Sequence, residues 1–227
     1  MKKILVISAI ILFCAVSGYS KAGFKIGLGA GVNVCKIKDK YYSDINDRMV
    51  AYDVSIPMEI KVSKYFAIQP EVHFIQKGFS LKYYGINDIS KIFRRRDYIE
   101  MPVNFKVIFP IRDKSFVNAY IGVGAGYALS NRQITKYENG DRKTDKFPYD
   151  NNVDDDNIAY RRFDIILPIG FGYEYRLNDK ISIFADLRWS LDVNNNIRYK
   201  VKPDPMPRYM YRNFIFSIGL NFIAKDK

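Results

Sequence analysis

Histidine, cysteine and tryptophan are scarce in this sequence, which contains one, two and one of them respectively. The single histidine, His73, has no strong nucleophile at a spacing that suggests a catalytic set. We therefore predict that the protein is not an enzyme and that His73 is a packed interior or rim residue. An enzyme of the hydrolase or acyltransferase type, centred on His73, is the alternative. We expect no cofactor.

A long apolar run occurs only once, at residues 4–16. Two lysines precede it and residues 20–22 offer small side chains at a cleavage site, as in a secretory signal peptide. A membrane anchor is less favoured, because the run is shorter than the roughly 20 residues that span a bilayer. We predict a cleaved signal at residues 1–22 and one domain at residues 23–227. Cys35 is then the only cysteine left, so no intramolecular disulfide is expected.

Acidic residues are fewer than basic ones, 24 against 36, and the formal net charge is +12. Nucleic acid is not expected as a partner, because an exported protein seldom meets it and the positive charge is not concentrated in one tail. Contact with lipid phosphates, or simple solvation, is the better interpretation of this charge.

Apolar and polar residues alternate along nearly the whole chain after the signal. This period of two is typical of strands with one apolar and one polar face. The alternation slips near residues 76–78, where we expect a β-bulge. Pro57, Pro102 and Pro168 fall inside strands, and we expect bulges or broken pairing beside them. Eight strands are predicted, at residues 24–34, 52–63, 66–74, 99–109, 118–129, 162–176, 181–192 and 213–222.

The links between these strands alternate between short and long. Outer-membrane barrels have short periplasmic turns and longer outer loops, whereas a soluble sandwich has no reason to sort its loops by length. The fold class predicted is therefore all-β, an eight-stranded antiparallel up-and-down transmembrane β-barrel. The short links are residues 63–64, 112–114 and 178–180, and the long links are residues 36–49, 82–96, 131–160 and 194–209.

The polar faces of the predicted strands carry most of the glycines and charges of both signs. A narrow interior needs small residues and compensated charges, whereas a solvated face gains nothing from glycine. We therefore predict that the apolar faces point outward to lipid. A soluble, lipocalin-like barrel with its apolar faces inside is the alternative. The predicted lumenal polar network comprises Glu59, Lys61, Glu71, His73, Glu100, Lys106, Arg162, Asp164, Glu174, Arg176, Asp186 and Arg188.

A barrel of this size has an interior that side chains just fill, so a diffusion pore is not expected, although a narrow channel stays an alternative. Aromatic residues fall near both ends of the apolar faces, as two girdles would. Those assigned to one end are Tyr52, Phe79, Tyr127 and Phe163.

Two loop motifs suggest ligands. Arg94, Arg95 and Arg96 fall where the second long loop meets the membrane, and their guanidinium groups suit lipopolysaccharide phosphates. Solvation at the rim is the alternative. Residues 150–157 concentrate oxygen ligands that Ca²⁺ prefers, but they lack the central glycine and closing glutamate of an EF-hand loop. A solvated outer loop is therefore the favoured interpretation of that segment.

Several short motifs in a fixed order give the chain a resemblance to a known family. They lie at residues 27–33, 66–72, 76–78, 98–103, 119–124, 170–175 and 216–222. In these segments the chain resembles the PorT-like outer-membrane β-barrel proteins of Bacteroidetes-type bacteria. The resemblance implies an outer-membrane location and an eight-stranded barrel, and it supplies no catalytic residues. Some relatives are linked to a secretion system or to gliding.

The leading functional hypothesis is a structural or interaction protein with a filled lumen that acts through its outer loops. The third long loop, residues 131–160, is the candidate surface. The expected partners are outer-membrane lipid and lipopolysaccharide, and the barrel-assembly machinery during insertion. A component of a secretion or gliding apparatus, with a secretion-system protein as partner, is one alternative. An outer-membrane enzyme and a narrow channel are the others.

Overall fold

The computed structural model describes residues 23–38, 46–82, 88–146, 158–199 and 210–224. The predicted signal and the acidic segment 150–157 lie outside these described residues. The strands are β1 (Phe24–Lys38), β2 (Asn46–Asp47), β3 (Met49–Lys61), β4 (Phe66–Lys82), β5 (Ile89–Arg112), β6 (Ser115–Tyr137), β7 (Arg142–Lys146), β8 (Ile158–Tyr160), β9 (Phe163–Arg176), β10 (Ile181–Asp192), β11 (Ile197–Tyr199) and β12 (Met210–Ala224).

Eight of these strands close into a ring, in the order β1, β3, β4, β5, β6, β9, β10 and β12. Every neighbouring pair is antiparallel, and the pairing of β12 with β1 joins the last strand to the first. The predicted up-and-down barrel is confirmed. The short strands lie beyond the ring, where β2 pairs with β4, β7 with β6, and β8 with β11. Over the described ranges, no helix is long and apolar enough to cross a membrane.

The apolar faces of the ring strands point outward. In β9 the burial alternates residue by residue, so that Phe163 and Ile165 are exposed while Asp164 between them is buried. An exposed apolar surface that surrounds the molecule suits hydrocarbon as the solvent and would be costly in water. The predicted orientation is confirmed, and the lipocalin-like alternative is excluded. Exposed members of this belt include Leu28, Val54, Phe105, Ile121, Phe171, Ile183, Trp189, Phe216 and Phe222.

Short turns at residues 62–65, 113–114 and 177–180 join the strands at one end of the barrel. At the other end the strands continue far beyond a bilayer, since β5 has 24 residues and β6 has 23, against about 9–11 that a membrane strand needs. Much of the two predicted loops 82–96 and 131–160 is therefore strand. The alternation misses this extension because, above the lipid, neither strand face has to be apolar.

The extension has a small apolar core of its own, in which Ile92 packs against a cluster of buried side chains. Phe79 belongs to this core and is 4% exposed, so its predicted place in an outer girdle is wrong. Its neighbours in β4 are buried on both faces, and strand β2 continues the sheet beside them by pairing with β4. The buried members of the cluster are Ile37, Phe79, Leu81 and Tyr211.

The expected bulge is not in β4, which pairs with β5 in one register from Phe66 to Lys82. Register shifts occur instead between β5 and β6; at the middle one of three, Asp97 pairs with Ser130 but Tyr98 pairs with Ala128. Whereas β4 keeps its phase, one extra residue, Leu129, therefore exchanges the inward and outward faces of β6 beyond this point. Its effect is to bring Ser130 beside Asp97 on the outer face.

Each mid-strand proline interrupts a ladder without shifting its register. Pairing between β1 and β3 skips Pro57, pairing between β4 and β5 skips Pro102, and pairing between β6 and β9 skips Pro168. The partners on both sides of each gap keep the same alignment. The prolines thus break pairing locally, as the missing N–H requires, and no bulge accompanies them.

Candidate functional site: the lumen and the outer rim

In the periplasmic third of the lumen, two buried lysines form ion pairs with two glutamates. Lys25 Nζ lies 2.7 Å from a Glu174 carboxylate oxygen and 3.0 Å from one of Glu59. Lys106 Nζ donates to Glu59 at 2.7 Å and to the Gln69 amide oxygen at 2.8 Å. All five side chains are buried, so each charge is compensated within the lumen.

His73 lies at the middle of the lumen and is 3% exposed. Its Nδ1 is 2.8 Å from an Asp53 oxygen, and its Nε2 is 2.7 Å from a Glu71 oxygen. The Arg188 guanidinium contacts the same Glu71 carboxylate at 2.6 Å and donates to the Tyr120 hydroxyl at 2.9 Å. His73 is therefore enclosed by charged partners and meets no serine or cysteine nucleophile among them.

The lumen has almost no free volume at this level. The cavity lined by Glu71, Lys106 and Arg188 measures about 30 Å³. This is room for about one water molecule. A substrate could not reach His73 without displacing the paired charges around it.

Lys77 holds the outer third of the lumen and is 0% exposed. Its Nζ lies 2.5 Å from Glu100 and 2.7 Å from Asp192, and it also lies 5.0 Å from the centre of the Tyr98 ring. The predicted network omits Lys77, because the bulge expected at residues 76–78 left the side of the strand on which Lys77 lies unassigned. It also omits Asp192, although strict alternation along β10 places that residue inside.

The Phe184 ring occupies space that side chains at two interior glycine positions would need. The ring points into the lumen, where a Cβ atom on Gly29 would lie 3.0 Å from it and one on Gly219 would lie 2.5 Å from it. Larger residues at either glycine would clash with the ring or displace it. The glycines therefore make room for one large aromatic side chain, which the alternation along β10 could have indicated.

One predicted member of the lumenal network lies outside the lumen, and two lie at its periplasmic opening. Arg162 donates to the Tyr127 hydroxyl at 3.2 Å on the exposed side of the wall. Lys61 and Arg176 lie at the periplasmic mouth, 5.9 Å and 5.3 Å from the centre of the Phe116 ring. Arg162 thus lies outside the lumen, because it precedes β9 and can turn outward, whereas Lys61 and Arg176 line the opening of the lumen with Lys25. The structure places the other nine predicted members in the lumen: Glu59, Glu71, His73, Glu100, Lys106, Asp164, Glu174, Asp186 and Arg188.

The structure does not bring Arg94, Arg95 and Arg96 to one surface. Arg96 is 2% exposed, donates to the Tyr98 hydroxyl at 3.1 Å and lies 4.6 Å from the centre of the Tyr160 ring. Arg94 approaches the same Tyr160 ring at 5.5 Å, whereas Arg95 lies over Phe93. The three arginines belong to strand β5, whose alternation sends neighbours to opposite faces. They therefore form no joint phosphate site.

The outer wall carries a buried carboxylate instead. Asp97 accepts hydrogen bonds from Tyr52 at 3.0 Å, Gln76 at 2.8 Å and Arg132 at 2.7 Å, and also from Ser130. The bulge in β6 makes this convergence possible. An outward-facing charge is tolerated here because four donors satisfy it at the outer edge of the apolar belt.

Strand β2 is held to the outer extension by charge. Asp47 lies 3.1 Å from Lys91 Nζ and 3.2 Å from Lys82 Nζ. Hydrogen bonding to the Lys91 and Lys82 ammonium groups lowers the pKa of Asp47 from 3.8 to about 2. This contact is exposed, so it orients β2 more than it stabilises the fold.

Known proteins of similar structure are small outer-membrane barrels. The crystal structure of Neisserial surface protein A is 12% identical, with 88% of this chain and 96% of that one covered and a TM-score of 0.46. OprG from Pseudomonas aeruginosa is 12% identical, with 90% and 97% covered and a TM-score of 0.47. The outer membrane protease OmpT from Escherichia coli is 11% identical, with 90% and 97% covered and a TM-score of 0.43.

No curated protein matches the sequence significantly. A family model, however, matches residues 18–198, which is most of the chain. The match covers β1 to β10, which include every strand of the ring except β12. The chain belongs to the outer membrane protein beta-barrel domain family.

Proposed function

We propose that this outer membrane protein is a non-enzymatic interaction protein, in which a plugged barrel displays an outer extension to partners. The filled lumen supports the proposal most strongly. His73 is paired with Asp53 and Glu71, and the neighbouring cavity, lined by Glu71, Lys106 and Arg188, measures about 30 Å³, which is too small for a substrate. A rigid wall with a sealed centre is suited to display rather than to transport or turnover.

The outer extension is the part that such a protein would use. Strands β5, β6 and β7 project beyond the belt and carry exposed polar side chains, including Arg142 and Lys143. The predicted interaction loop, residues 131–160, begins on this platform. Replacing residues 147–157 with a Gly-Ser linker tests the proposal.

We expect the linker variant to insert normally and to keep the faster gel migration that closed barrels show before heating. It should lose whatever contact the intact protein makes on whole cells, measured by crosslinking and mass spectrometry. A variant with the periplasmic turn residues Asp113→Asn and Lys114→Gln is the control. Failure of the linker variant to assemble would contradict the separation between wall and display surface.

The enzyme alternative has a direct test. His73→Ala should leave the lipid and protein profiles of the outer membrane unchanged, because no substrate reaches the imidazole. A changed profile in cells with equal amounts of folded protein would refute the non-enzymatic proposal. Planar-bilayer recordings should likewise show no steady conductance through the closed lumen.

Finer assignments follow from the sequence and belong to this proposal. They comprise removal of a signal at residues 1–22, insertion by the barrel-assembly machinery, and membership of the PorT-like group in Bacteroidetes-type bacteria. A secretion-system partner is the second candidate, and only the resemblance favours it. Reproducible crosslinks to one secretion component would support that partner over a barrel that acts alone.

A further inference from the structure

Three basic residues lie side by side on the outer wall, although they are far apart in sequence. Lys36 of β1 is directly opposite Arg212 of β12. Arg48 adjoins Lys36 on the other side, because the next pair toward the membrane is Cys35 with Met49. The register places Lys36 and Arg212 in one row, and Arg48, the residue between β2 and β3, extends that row on the other side of Lys36.

This row costs free energy in the isolated protein. Like charges directly opposite one another on adjacent strands destabilise a sheet. Among the residues that the structure describes, no carboxylate lies within ion-pair distance of Lys36, Arg48 or Arg212. Asp47, the acidic neighbour of Arg48 in sequence, is paired with Lys82 and Lys91 instead. The row therefore presents three basic groups, without a carboxylate partner among the described residues, to an external anion.

A groove lies directly below the row, on the membrane side. It measures about 520 Å³, and its lining includes the three basic residues and the apolar side chains of Val34, Trp189 and Phe214. Phe214 is opposite both Val34 and Trp189, so these three form the next row of the same wall. Trp189 and Phe214 are exposed members of the apolar belt.

We propose that this groove binds a phosphorylated lipid of the outer leaflet. Its phosphate group lies against Lys36, Arg48 and Arg212, and its acyl chain packs on Val34, Trp189 and Phe214. Arginine binds phosphate through paired N–H donors, and tryptophan favours the boundary between hydrocarbon and headgroups. The charge and the amphipathic lining together select a lipid over a soluble acidic partner.

This binding site goes beyond the proposed display function and does not depend on it. The wall of the barrel binds the lipid, whereas the interaction loop projects from the opposite side of the ring on β6 and β7. The lipid would also link β12 to β1, the pair at which the first and last strands close the ring.

Trp189 makes the groove measurable, because it is the only tryptophan in the protein. The folded protein is reconstituted in phosphatidylcholine vesicles that contain, at equal mole fraction, phosphatidic acid or phosphatidylcholine with brominated acyl chains. Bromine quenches tryptophan fluorescence on contact. We expect the association constant at Trp189 to be about tenfold higher for phosphatidic acid, given the attraction of several basic residues for an anionic headgroup.

The triple variant Lys36→Gln, Arg48→Gln, Arg212→Gln should remove this preference. Its matched control, Arg142→Gln, Lys143→Gln, Lys146→Gln, loses the same charge from exposed positions on β7 and should keep it. Heat-dependent gel migration verifies that each variant is folded.

Equal quenching of the unmodified protein by the two lipids would overturn the proposal without reference to any variant. So would an equal loss in the control variant, which would show that general charge attracts the lipid. Inorganic phosphate at the same concentration should not displace the brominated lipid. Full displacement would mean that the basic row binds a free anion, which also contradicts the proposal.

Discussion

Removal of the Lys77 ammonium group should destabilise the barrel by about 3–5 kcal/mol. In Lys77→Met the two carboxylates of Glu100 and Asp192, which lie 2.5 Å and 2.7 Å from Nζ, lose their common cation. Their side chains are 4% and 0% exposed, so water cannot replace it. Breaking a buried ion pair from one side costs about this amount, because it leaves an uncompensated buried charge.

The triple variant Lys77→Met, Glu100→Gln, Asp192→Asn should recover most of the loss. It removes the two orphaned charges together with the cation, and replacing a whole buried charge cluster is often close to neutral. The single and triple variants therefore separate the cost of an unpaired charge from the cost of lost packing.

The assay is equilibrium unfolding in urea, in detergent micelles or vesicles, followed by Trp189 fluorescence and by gel migration. The two probes should report one transition if unfolding is two-state. A loss below about 1 kcal/mol in Lys77→Met would refute the argument, since that is the scale of a solvated surface pair. A triple variant less stable than the single one would refute it as well.

Three further outcomes test other parts of the structure. Gly219→Ala should lower the free energy of unfolding by about 1–3 kcal/mol, because its Cβ atom would clash with the Leu28 carbonyl oxygen and with the Phe184 ring; urea unfolding checks this, and an unchanged midpoint would contradict the close approach of β1 and Phe184 to this position. Arg96→Gln should destabilise the protein more than Arg95→Gln, because Arg96 is 2% exposed whereas Arg95 is only partly buried; urea unfolding checks this, and equal losses in both would contradict their opposite orientations. Because the pKa of Asp47 is lowered in the folded protein, the stability that its ion pairs give to β2 is present above the unfolded pKa and fades as pH falls from about 4 toward 2; the hydrogen-exchange protection of the β2 amides, relative to the intrinsic rate at each pH, should fall over that range, and unchanged protection would exclude this anchor.

The sequence predicts the lipid-facing belt for a physical reason. Hydrocarbon requires every lipid-facing position to be apolar, so β9 alternates without a break from Phe163 to Tyr175. Above the lipid this requirement ends. Strand β5 therefore continues through Arg94, Arg95 and Arg96 with no apolar face to reveal it, and these arginines were assigned to a loop.

Partners in the lumen were only partly predictable. Alternation identifies Glu71, Asp186 and Arg188 as interior residues, but it does not say which charges meet. Lys77 and Asp192 are 115 positions apart, and the closed ring alone places them 2.7 Å from each other. Pairing across a lumen depends on register and ring size, which no local pattern contains.

The sequence by itself determined the strand faces, the alternation of short and long connections, and the outward direction of the apolar side chains. Each follows from a local rule, since a residue's side of a strand depends only on its position along that strand. The tertiary structure decided which charges pair, where the bulge lies, and that Lys36, Arg48 and Arg212 share one row. These depend on how distant strands align, because closure of the ring fixes every register at once.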